Sequence, residues 1–303
     1  MTVIHVDDHD IEVSNTDKIL FDDAGITKGD LIDYYGRIAE TILPHLAGRP
    51  VSMERFPDGI GEEGFYQKEV PKYFPDWIHR AEVDLVEGGS QDQVVVESAA
   101  TLVYLADQGC ITPHAWLSRE GSLDCPDKLV IDLDPPGTGF EPVREVAFLV
   151  RDFLGEIDLS PCVMTTGSRG LHLIVPIKPV IPFDRVREIA IKMAGILERR
   201  HPDRLTAEIR KEKRKGRLFL DMLRNAYGQT SVPPYAVRAR SGAPVAVPLD
   251  WDELSDRSLV STSYTVGNIF RRLGQKEDPW KDMYSLGQSL EGITEKLDEF
   301  GGG

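Results

Sequence analysis

The chain has 303 residues, of which 41% are hydrophobic and 28% charged, and this balance excludes an intrinsically disordered or low-complexity protein. Its 50 acidic side chains outnumber its 35 basic ones, and the formal net charge of −15 excludes a uniformly basic surface for nucleic acid. Basic side chains are instead concentrated in residues 204–217, RLTAEIRKEKRKGR. We therefore expect a local basic surface on an acidic protein, with a solvated helix face as the alternative for this segment.

Cellular location is indicated by what the sequence lacks. No apolar run approaches the length of a bilayer, and the first ten residues have neither the cationic start nor the apolar stretch of a signal peptide. The three cysteines are widely spaced and form no C-x-x-C pair, which argues against a disulfide framework and a thiolate zinc site. We expect a cytoplasmic protein without a membrane partner.

Four helices are predicted from apolar spacing and capping residues. The first begins where Thr27 and Asp30 resemble a capping box, and its helical pattern ends at Pro44. The other three helices are predicted at residues 98–108, 142–155 and 184–200.

Short runs of β-type composition lie among these helices, which predicts an α+β fold. The predicted strands are residues 51–55, 93–96, 128–134, 163–165, 171–177, 218–221 and 236–240. The turn-rich stretch SREGSLDCPD near residue 120 marks a boundary between an N-terminal lobe, residues 1–120, and a catalytic lobe, residues 121–250. We expect the acidic, helical residues 251–303 to pack on the same compact body.

The segment LVIDLDPP places Asp132 and Asp134 at the end of an apolar strand. Because strand side chains alternate, both carboxylates point to one face. Two adjacent carboxylates repel each other unless a cation lies between them, which favours a Mg²⁺ or Mn²⁺ site. A strand that simply ends in an acidic Pro-Gly turn is the alternative, because D-x-D alone is a weak motif.

A third carboxylate, Asp221, interrupts the apolar strand LFLDML, where an unpaired buried charge is costly. Together with Asp132 and Asp134 it would provide the three carboxylates that two-metal phosphoryl transfer requires. A salt bridge from Asp221 to Arg217 or Arg224 is the alternative.

The segment TTGSRGLHLIVP predicts a hairpin. Gly167 and Gly170 permit unusual backbone angles around Ser168 and Arg169, so that backbone N–H groups, a hydroxyl and a guanidinium can converge on phosphate oxygens. His172 on the returning strand would lie beside this loop and donate to a phosphate. A purely structural role for His172 is the alternative.

Three widespread motifs are absent from the sequence. It contains neither the G-x-x-x-x-G-K-[ST] loop nor the G-x-G-x-x-G turn, which argues against an ordinary ATPase or a nicotinamide enzyme. It also lacks K-x-D-G, the adenylated-lysine motif of DNA ligases. We expect that the chain does not seal nicks itself.

Taken in order, DLD, S-R-G-L-H and LFLD resemble the three signature motifs of the archaeo-eukaryotic primase superfamily. The longer segments SNTDKILFDDAGITKGDLIDYYGRIAETILPHLAGRP, GFYQK, HAWLSR, PDKLVIDLDPP and SVPPYAVRARSGAPVAVPLDWDEL look like the polymerase domain of bacterial ligase D, the end-joining enzyme. This resemblance implies an RRM-like catalytic sheet fused to an N-terminal α/β lobe. It also implies a DNA-end-directed nucleotidyltransferase that fills gaps and extends 3′ ends with NTPs or dNTPs, preferring ribonucleotides, with two Mn²⁺ or Mg²⁺ ions.

The resemblance implies roles for residues at matching positions. Asp132, Asp134 and Asp221 become the catalytic metal ligands. The matched nucleotide-binding side chains are Ser168, Arg169, His172, Arg238, His114 and Arg55.

Details of these matches refine the expected nucleotide contacts. His114 matches a position near the sugar, where a donor can sense the 2′-hydroxyl. Arg238 and Arg240 share a face of the predicted strand 236–240, and arginine forks suit phosphate oxygens. Glu54 stands where relatives usually have a basic residue, so we expect no nucleotide contact from it, and Arg169 stands where relatives commonly have Lys.

A second group of matched residues implies contacts to the DNA end. Lys18 and Lys28 correspond to a pocket for the 5′-phosphate across the break, and Phe65 and Tyr66 to an aromatic pair that stacks on the template base. The alternatives are two solvated lysines and an aromatic loop that is anchored in the core.

The implied setting is non-homologous end joining at the nucleoid. Expected partners are 5′-phosphorylated DNA ends, a separate ligase, a Ku-type end-binding protein and a second copy of the chain across the break. Three alternatives stay open: a replicative-type primase, a non-catalytic RRM-like nucleic-acid-binding module, and a nuclease that uses the same metal ions.

Overall fold

The computed structural model describes residues 2–137 and 139–300. In this part of the chain the strands are β1 (Thr2–Val6), β2 (His9–Val13), β3 (Ile19–Phe21), β4 (Ile26–Thr27), β5 (Val51–Arg55), β6 (Phe65–Gln67), β7 (Arg80–Asp84), β8 (Ser90–Val94), β9 (Cys110–Trp116), β10 (Lys128–Asp134), β11 (Cys162–Thr165), β12 (Leu171–Pro176), β13 (Leu205–Thr206), β14 (Leu218–Asp221), β15 (Thr230–Ser231) and β16 (Val247–Leu249). The α-helices are α1 (Lys28–Leu46), α2 (Ala99–Asp107), α3 (Glu141–Glu156), α4 (Phe183–Arg200), α5 (Ile269–Leu273) and α6 (Ile293–Glu299). Short 3₁₀-helices occupy Lys211–Lys213, Leu223–Asn225, Trp251–Ser255 and Met283–Leu286.

The chain divides into two compact units. Unit 1 contains Met1–Gly121, Thr230–Val247 and Tyr264–Asp278, and unit 2 contains Ser122–Gln229, Pro248–Ser263 and Pro279–Gly303. The first boundary between the two units follows Gly121, one residue after the predicted boundary. The later boundaries differ from those of the predicted ranges 121–250 and 251–303. For example, β15 hydrogen-bonds to β9 and so belongs to unit 1.

Unit 1 contains a four-stranded antiparallel sheet in the order β15-β9-β5-β6, together with α1 and α2. The capping box predicted at the start of α1 is confirmed, since Thr27 and Asp30 accept from each other's backbone N–H groups. The prediction that this helix ends at Pro44 is wrong. Pro44 lies in the last turn, where the N–H of Ala47 still donates to Leu43 at 2.8 Å and closes the helix.

Unit 2 is built on a six-stranded sheet in the order β13-β14-β10-β12-β11-β16. The central strand β10 has the predicted bounds, and it pairs antiparallel with β12 on one side and β14 on the other. Its residues Lys128 to Ile131 are buried, whereas Asp132 and Asp134 are partly exposed. The sheet therefore brings acidic side chains to the end of a strand whose beginning lies in the core.

The strand predicted at residues 236–240 is wrong. Only an isolated bridge forms there, between Val237 and Val245, and Arg240 N–H closes a tight turn on the Arg238 carbonyl at 2.7 Å. Tyr235 adopts a φ of 64°, which interrupts extended backbone just before this segment. Arg238 and Arg240 consequently do not share a strand face.

The helices of residues 2–137 and 139–300 are too short or too polar to span a membrane. None of them combines the length with the apolar character that crossing a bilayer requires.

Candidate active site

Three strands of unit 2 place acidic side chains in one row. Asp132 of β10 lies directly opposite Asp221 of β14 and, on its other side, opposite His172 of β12. Residues directly opposite each other in antiparallel strands point to the same face, with Cβ atoms about 5 Å apart. Asp134 lies two residues beyond Asp132 and shares this face. The three aspartates predicted from the sequence thus lie on the same face of the sheet.

The position of Asp221 in this row changes the pKa of its carboxyl group. Burial raises its pKa above the ordinary value, and the negative charge of Asp132 raises it further. The N–H of Leu223, which donates to Asp221 at 2.8 Å, acts in the opposite direction, as does the charge of Arg224. Two neighbouring carboxylates with this repulsion fit a divalent cation, because the cation removes the penalty for ionising both.

The alternative salt bridges of Asp221 receive little support. Arg217 instead donates to Glu198 at 3.2 Å and to backbone carbonyls. Arg224 acts on Asp221 through its charge, which lowers the pKa of this carboxyl group.

Asp134 is held by two arginines. Arg169 Nη2 donates to one carboxylate oxygen at 2.7 Å and Arg214 Nη1 donates to the other at 3.0 Å. Arg214 is buried, donates also to the carbonyls of Glu208 and Ile209, and stacks on the ring of Phe219 at 3.8 Å. The sequence indicated only a basic segment here, because a pairing over 80 residues leaves no local pattern. Asp134 and both arginines line one pocket with Lys211.

The ligand atoms of the three aspartates are not gathered at one point. Of the described residues, the one set of three side chains with ligand atoms within 4.8 Å of one another is His79, Glu97 and Glu120, an exposed cluster in unit 1. The arginines account for the difference in unit 2, because they direct both oxygens of Asp134 towards guanidinium groups. Metal binding by the aspartates would require Asp134 to exchange these partners.

The predicted hairpin loop between β11 and β12 is present. Gly167 has a φ of 63°, and a Cβ on Gly170 would lie 2.0 Å from the carbonyl oxygen of Leu133, so no larger residue fits there. The N–H groups of Ser168 and Gly170 donate to the Thr166 hydroxyl at 3.3 Å, so they stabilise the loop itself. The Ser168 hydroxyl and the exposed Arg169 guanidinium remain the groups suited to phosphate.

His172 is buried beneath this row of carboxylates. Its Nε2 lies 3.5 Å from Asp132 Oδ2, and its Nδ1 is enclosed with no hydrogen-bond partner among the residues described. A histidine that served structure alone would be expected to satisfy both ring nitrogens. This pattern favours the functional interpretation of His172 over the structural one.

In unit 1, Lys18 and Lys28 line one pocket, to which Ser14, Asn15 and Arg55 also contribute. Each lysine is ion-paired. Lys18 Nζ lies 2.8 Å from Asp58, and the buried Lys28 Nζ lies 2.7 Å from Asp107. The two lysines are therefore neither scattered nor simply solvated, and the expected 5′-phosphate site at this pocket stays a prediction.

Arg55 lies with the two lysines in this pocket. Its guanidinium donates to the side chains of Gln67 at 2.6 Å and Tyr73 at 3.1 Å, and its Nε donates to the Gln108 carbonyl at 2.9 Å. The expectation of a nucleotide contact from Arg55 stays a prediction, whereas the geometry groups it with the residues expected at the DNA end.

Phe65 and Tyr66 are exposed on β6, by 46% and 61%. The alternative of a loop anchored in the core is wrong for these two rings. The guanidinium of Arg55 lies 5.5 Å from the Phe65 ring centre, and the Tyr66 ring lies 5.5 Å from that of His114. Two exposed aromatic faces beside basic groups suit stacking on unpaired bases.

His114 is buried on β9 and bound by Glu54, whose carboxylate lies 2.9 Å from its Nε2. Burial raises the pKa of Glu54, but the hydrogen bond and charge of His114 outweigh burial, and Thr112 and Arg238 lower the pKa further, to about 2. The sequence does not predict this pair, because the two residues are 60 positions apart and leave no local pattern.

The sequence of the chain is similar to those of known proteins. Residues 27–280 match the model of the LigD primase-polymerase domain. The chain is 34% identical over 252 residues to the multifunctional non-homologous end joining protein LigD of Mycolicibacterium smegmatis, covering 82% of this chain and 33% of that protein. It is 29% identical over 276 residues to the bifunctional non-homologous end joining protein LigD of Bacillus subtilis, covering 90% and 44%. The chain thus spans a third to less than half of these relatives.

A solved structure extends the comparison to three dimensions. The polymerase domain from Mycobacterium tuberculosis ligase D, in complex with DNA, matches with a TM-score of 0.84 at 32% identity. The match covers 92% of this chain and 99% of that one. The mixed α and β fold described above is the fold of that domain.

Proposed function

The chain belongs to the LigD primase-polymerase domain family, a family of DNA nucleotidyltransferases, and we propose that it fills gaps and extends 3′ ends at DNA breaks during non-homologous end joining. The observation that carries this proposal is the row of Asp132 and Asp221 on paired strands, with Asp134 on the same face. The proposed catalytic fold is an RRM-like sheet, formed by unit 2, and the proposed substrates are NTPs in preference to dNTPs.

The chemistry follows from the three carboxylates. Two Mn²⁺ or Mg²⁺ ions held by Asp132, Asp134 and Asp221 would activate the attacking 3′-hydroxyl and stabilise the triphosphate leaving group. Asp132 and Asp221 are already side by side, and ionisation of both becomes favourable when a cation lies between them. Asp134 would turn from its arginines, which leaves two guanidinium groups beside the site.

Phosphate recognition is proposed for the groups that surround these carboxylates in unit 2. Arg169 and Arg214 would donate to phosphate oxygens once Asp134 has changed partners, since guanidinium forks match phosphate geometry. The Ser168 hydroxyl and the buried ring of His172 would donate from the loop and from β12. Roles of His114 at the sugar and of Arg238 at the phosphates remain proposals that rest on resemblance.

DNA-end recognition is proposed for unit 1. A 5′-phosphate would bind in the pocket of Lys18, Lys28 and Arg55, and Phe65 and Tyr66 would stack on a template base. The solved relative was determined in complex with DNA, which supports DNA as the ligand. A ligase, a Ku-type end-binding protein and a second copy of the chain are the proposed partners, and the nucleoid is the proposed location.

Extension of a gapped duplex tests this function. Wild-type protein with Mn²⁺ and NTPs should lengthen the labelled primer, more strongly when the downstream strand carries a 5′-phosphate. Asp132→Ala should abolish extension, while Asp203→Ala, which removes an exposed carboxylate of the same unit, should not. Extension by Asp132→Ala at the wild-type rate would overturn the metal-site proposal.

The same assay separates the alternatives. Synthesis on an unprimed single strand that equals gap filling and ignores the 5′-phosphate would indicate a replicative-type primase. Shortening of the label would indicate a nuclease. Binding of the gapped duplex without any change in its length would indicate a non-catalytic nucleic-acid-binding module.

A further inference from the structure

Glu54 is the centre of a polar cluster on one face of β5 in unit 1. It lies directly opposite Tyr66 of β6 and Thr112 of β9, and His114 lies two residues further along β9. Directly opposed residues in antiparallel strands point to one face, and diagonal neighbours on that face are within reach of long side chains. The sheet register therefore dictates that these four side chains meet.

The contact between Glu54 and His114 is sheltered from solvent. The side chain of Glu54 is 15% exposed and that of His114 is 11% exposed. Glu54 Oε2 lies 2.9 Å from His114 Nε2, which fixes Nε2 as the nitrogen that carries a proton. The Tyr66 ring of β6 lies beside the imidazole, with 5.5 Å between the ring centres and a tilt of 52°.

The charges in this cluster are coupled. His114 lowers the pKa of Glu54 against the effect of burial, and the carboxylate therefore stays ionised far below neutral pH. Stabilisation of an ion pair is shared, so whatever the imidazolium contributes to the carboxylate, the carboxylate contributes equally to the imidazolium. The ionised Glu54 consequently favours the protonated form of His114.

The neighbouring groups Arg238, Tyr35 and Cys110 do not favour the protonated form of His114. The positive charge of Arg238 opposes the imidazolium, and it does not change with pH. Tyr35 and Cys110 sense the charge of Glu54, but burial raises the pKa of both, that of Cys110 to about 12. Both are neutral at physiological pH, which leaves His114 as the group of this set that titrates there.

We propose that Glu54 is a positioning residue that orients the His114 ring through Nε2, keeps it protonated, and thereby strengthens the preference for ribonucleotides. The first part of this proposal, the orientation and protonation of His114, concerns unit 1 alone. The second part, the effect on the preference for ribonucleotides, rests on the proposed function, in which His114 contacts the sugar. A cationic donor binds a hydroxyl more strongly than a neutral one, and a deoxynucleotide has no 2′-hydroxyl to bind. A basic residue in place of Glu54 would repel the imidazolium and so remove this contribution.

A pH titration of the histidine Cε1–H signals by NMR tests the first part without any substrate. The chain has seven histidines, and His114→Ala assigns the relevant signal. In wild-type protein the His114 midpoint should lie above the ordinary value of about 6.5. Glu54→Gln should lower it by about one pH unit, and Glu54→Asp, which keeps the charge, should restore most of the shift.

A second histidine pair provides the matched control. His79 Nε2 and Glu120 Oε2 lie 2.7 Å apart in the same unit, and Glu120 is the largest influence that raises the pKa of His79. Glu120→Gln should lower the His79 midpoint and leave His114 unchanged. Equal His114 midpoints in wild-type and Glu54→Gln protein would overturn the proposal. A wild-type midpoint at or below 6.5 would do so as well, even if Glu54→Gln failed to fold.

The preference for NTPs over dNTPs tests the second part. The ratio of the two kcat/KM values cancels general damage to the enzyme, because both substrates use the same protein. This ratio should fall roughly fivefold or more in Glu54→Gln, fall further in Glu54→Lys, and stay unchanged in Glu120→Gln. In wild-type protein it should decline as the pH rises through the His114 midpoint.

The NMR titration and the ratio of NTP to dNTP use can each contradict one part of the proposal independently of the other. A shifted His114 midpoint with an unchanged NTP preference would overturn the selectivity role and retain the positioning role. Absence of nucleotide addition by wild-type protein would overturn the proposed function, while the NMR titration would still decide whether Glu54 controls His114.

Discussion

Asp132 of β10 lies directly opposite Asp221 of β14, and burial together with the charge of Asp132 raises the pKa of Asp221. This pairing joins residues 89 positions apart into one face of the sheet. Ionisation of both carboxylates without a cation costs stability, and a divalent cation bound between them would remove this cost.

Replacing Asp221 should therefore stabilise the metal-free protein. A raised folded-state pKa means that the stability tied to this group is complete below the ordinary value of 3.8 and is lost as the pH rises through the raised value. In EDTA at pH 7, Asp221→Asn should melt about 1 to 3 °C above wild type, with the difference vanishing below pH 4. Differential scanning fluorimetry from pH 3.5 to 8 measures this, and a melting temperature below wild type at pH 7 would count against the repulsion.

The two arginines bound to Asp134 should differ in their structural importance. Arg214→Ala removes a buried guanidinium with backbone hydrogen bonds and should cost about 1 to 3 kcal/mol in urea unfolding. Arg169→Ala removes a half-exposed ion pair and should cost no more than about 0.5 kcal/mol. Both variants should lose nucleotide affinity. Equal unfolding free energies for the two would contradict the assigned burial.

The loop at Gly170 should tolerate no side chain. Gly170→Ala places a Cβ 2.0 Å from the Leu133 carbonyl oxygen and should cost about 1 to 3 kcal/mol with a strong loss of primer extension. Gly137→Ala is the matched control, because a Cβ there meets no atom within 4 Å. It should stay within about 0.5 kcal/mol of wild type. Normal extension by Gly170→Ala would show that the loop adapts.

The lysine pocket should recognise the 5′-phosphate through Lys18. Lys18→Ala should weaken binding of a 5′-phosphorylated gapped duplex roughly tenfold and leave a 5′-hydroxyl duplex nearly unaffected. Asp58→Asn should strengthen phosphate binding, since Asp58 competes for the same ammonium group. Fluorescence anisotropy at fixed salt measures both, with Lys178→Ala as an exposed-charge control. Equal loss for the two duplexes would indicate a general charge effect.

The sequence predicted the elements whose signals are local. The bounds of β5, β10 and β14 follow from short apolar runs, and the capping box of Thr27 and Asp30 lies within four residues. The common face of Asp132 and Asp134 follows from the period of a strand alone.

Other features depend on contacts over long stretches of chain. The ion pairs of Lys18 with Asp58 and of Lys28 with Asp107 have no sequence signature, because the partners are 40 and 79 residues apart. The predicted strand 236–240 failed because turn geometry around it outweighs β propensity. The strand β9 was missed, since its seven buried residues show no alternation of apolar and polar side chains.

Binding of Mn²⁺ with an incoming NTP, measured from the electron paramagnetic resonance of the free ion, tests the three-aspartate site most directly. Every protein should carry Glu120→Gln, because His79, Glu97 and Glu120 form a separate cluster of ligand atoms. The otherwise wild-type protein should bind two ions, and Asp132→Asn and Asp221→Asn should weaken binding at least about tenfold, while Asp203→Asn should not. Unchanged Mn²⁺ binding in Asp132→Asn and Asp221→Asn would contradict a metal site on this face of the sheet.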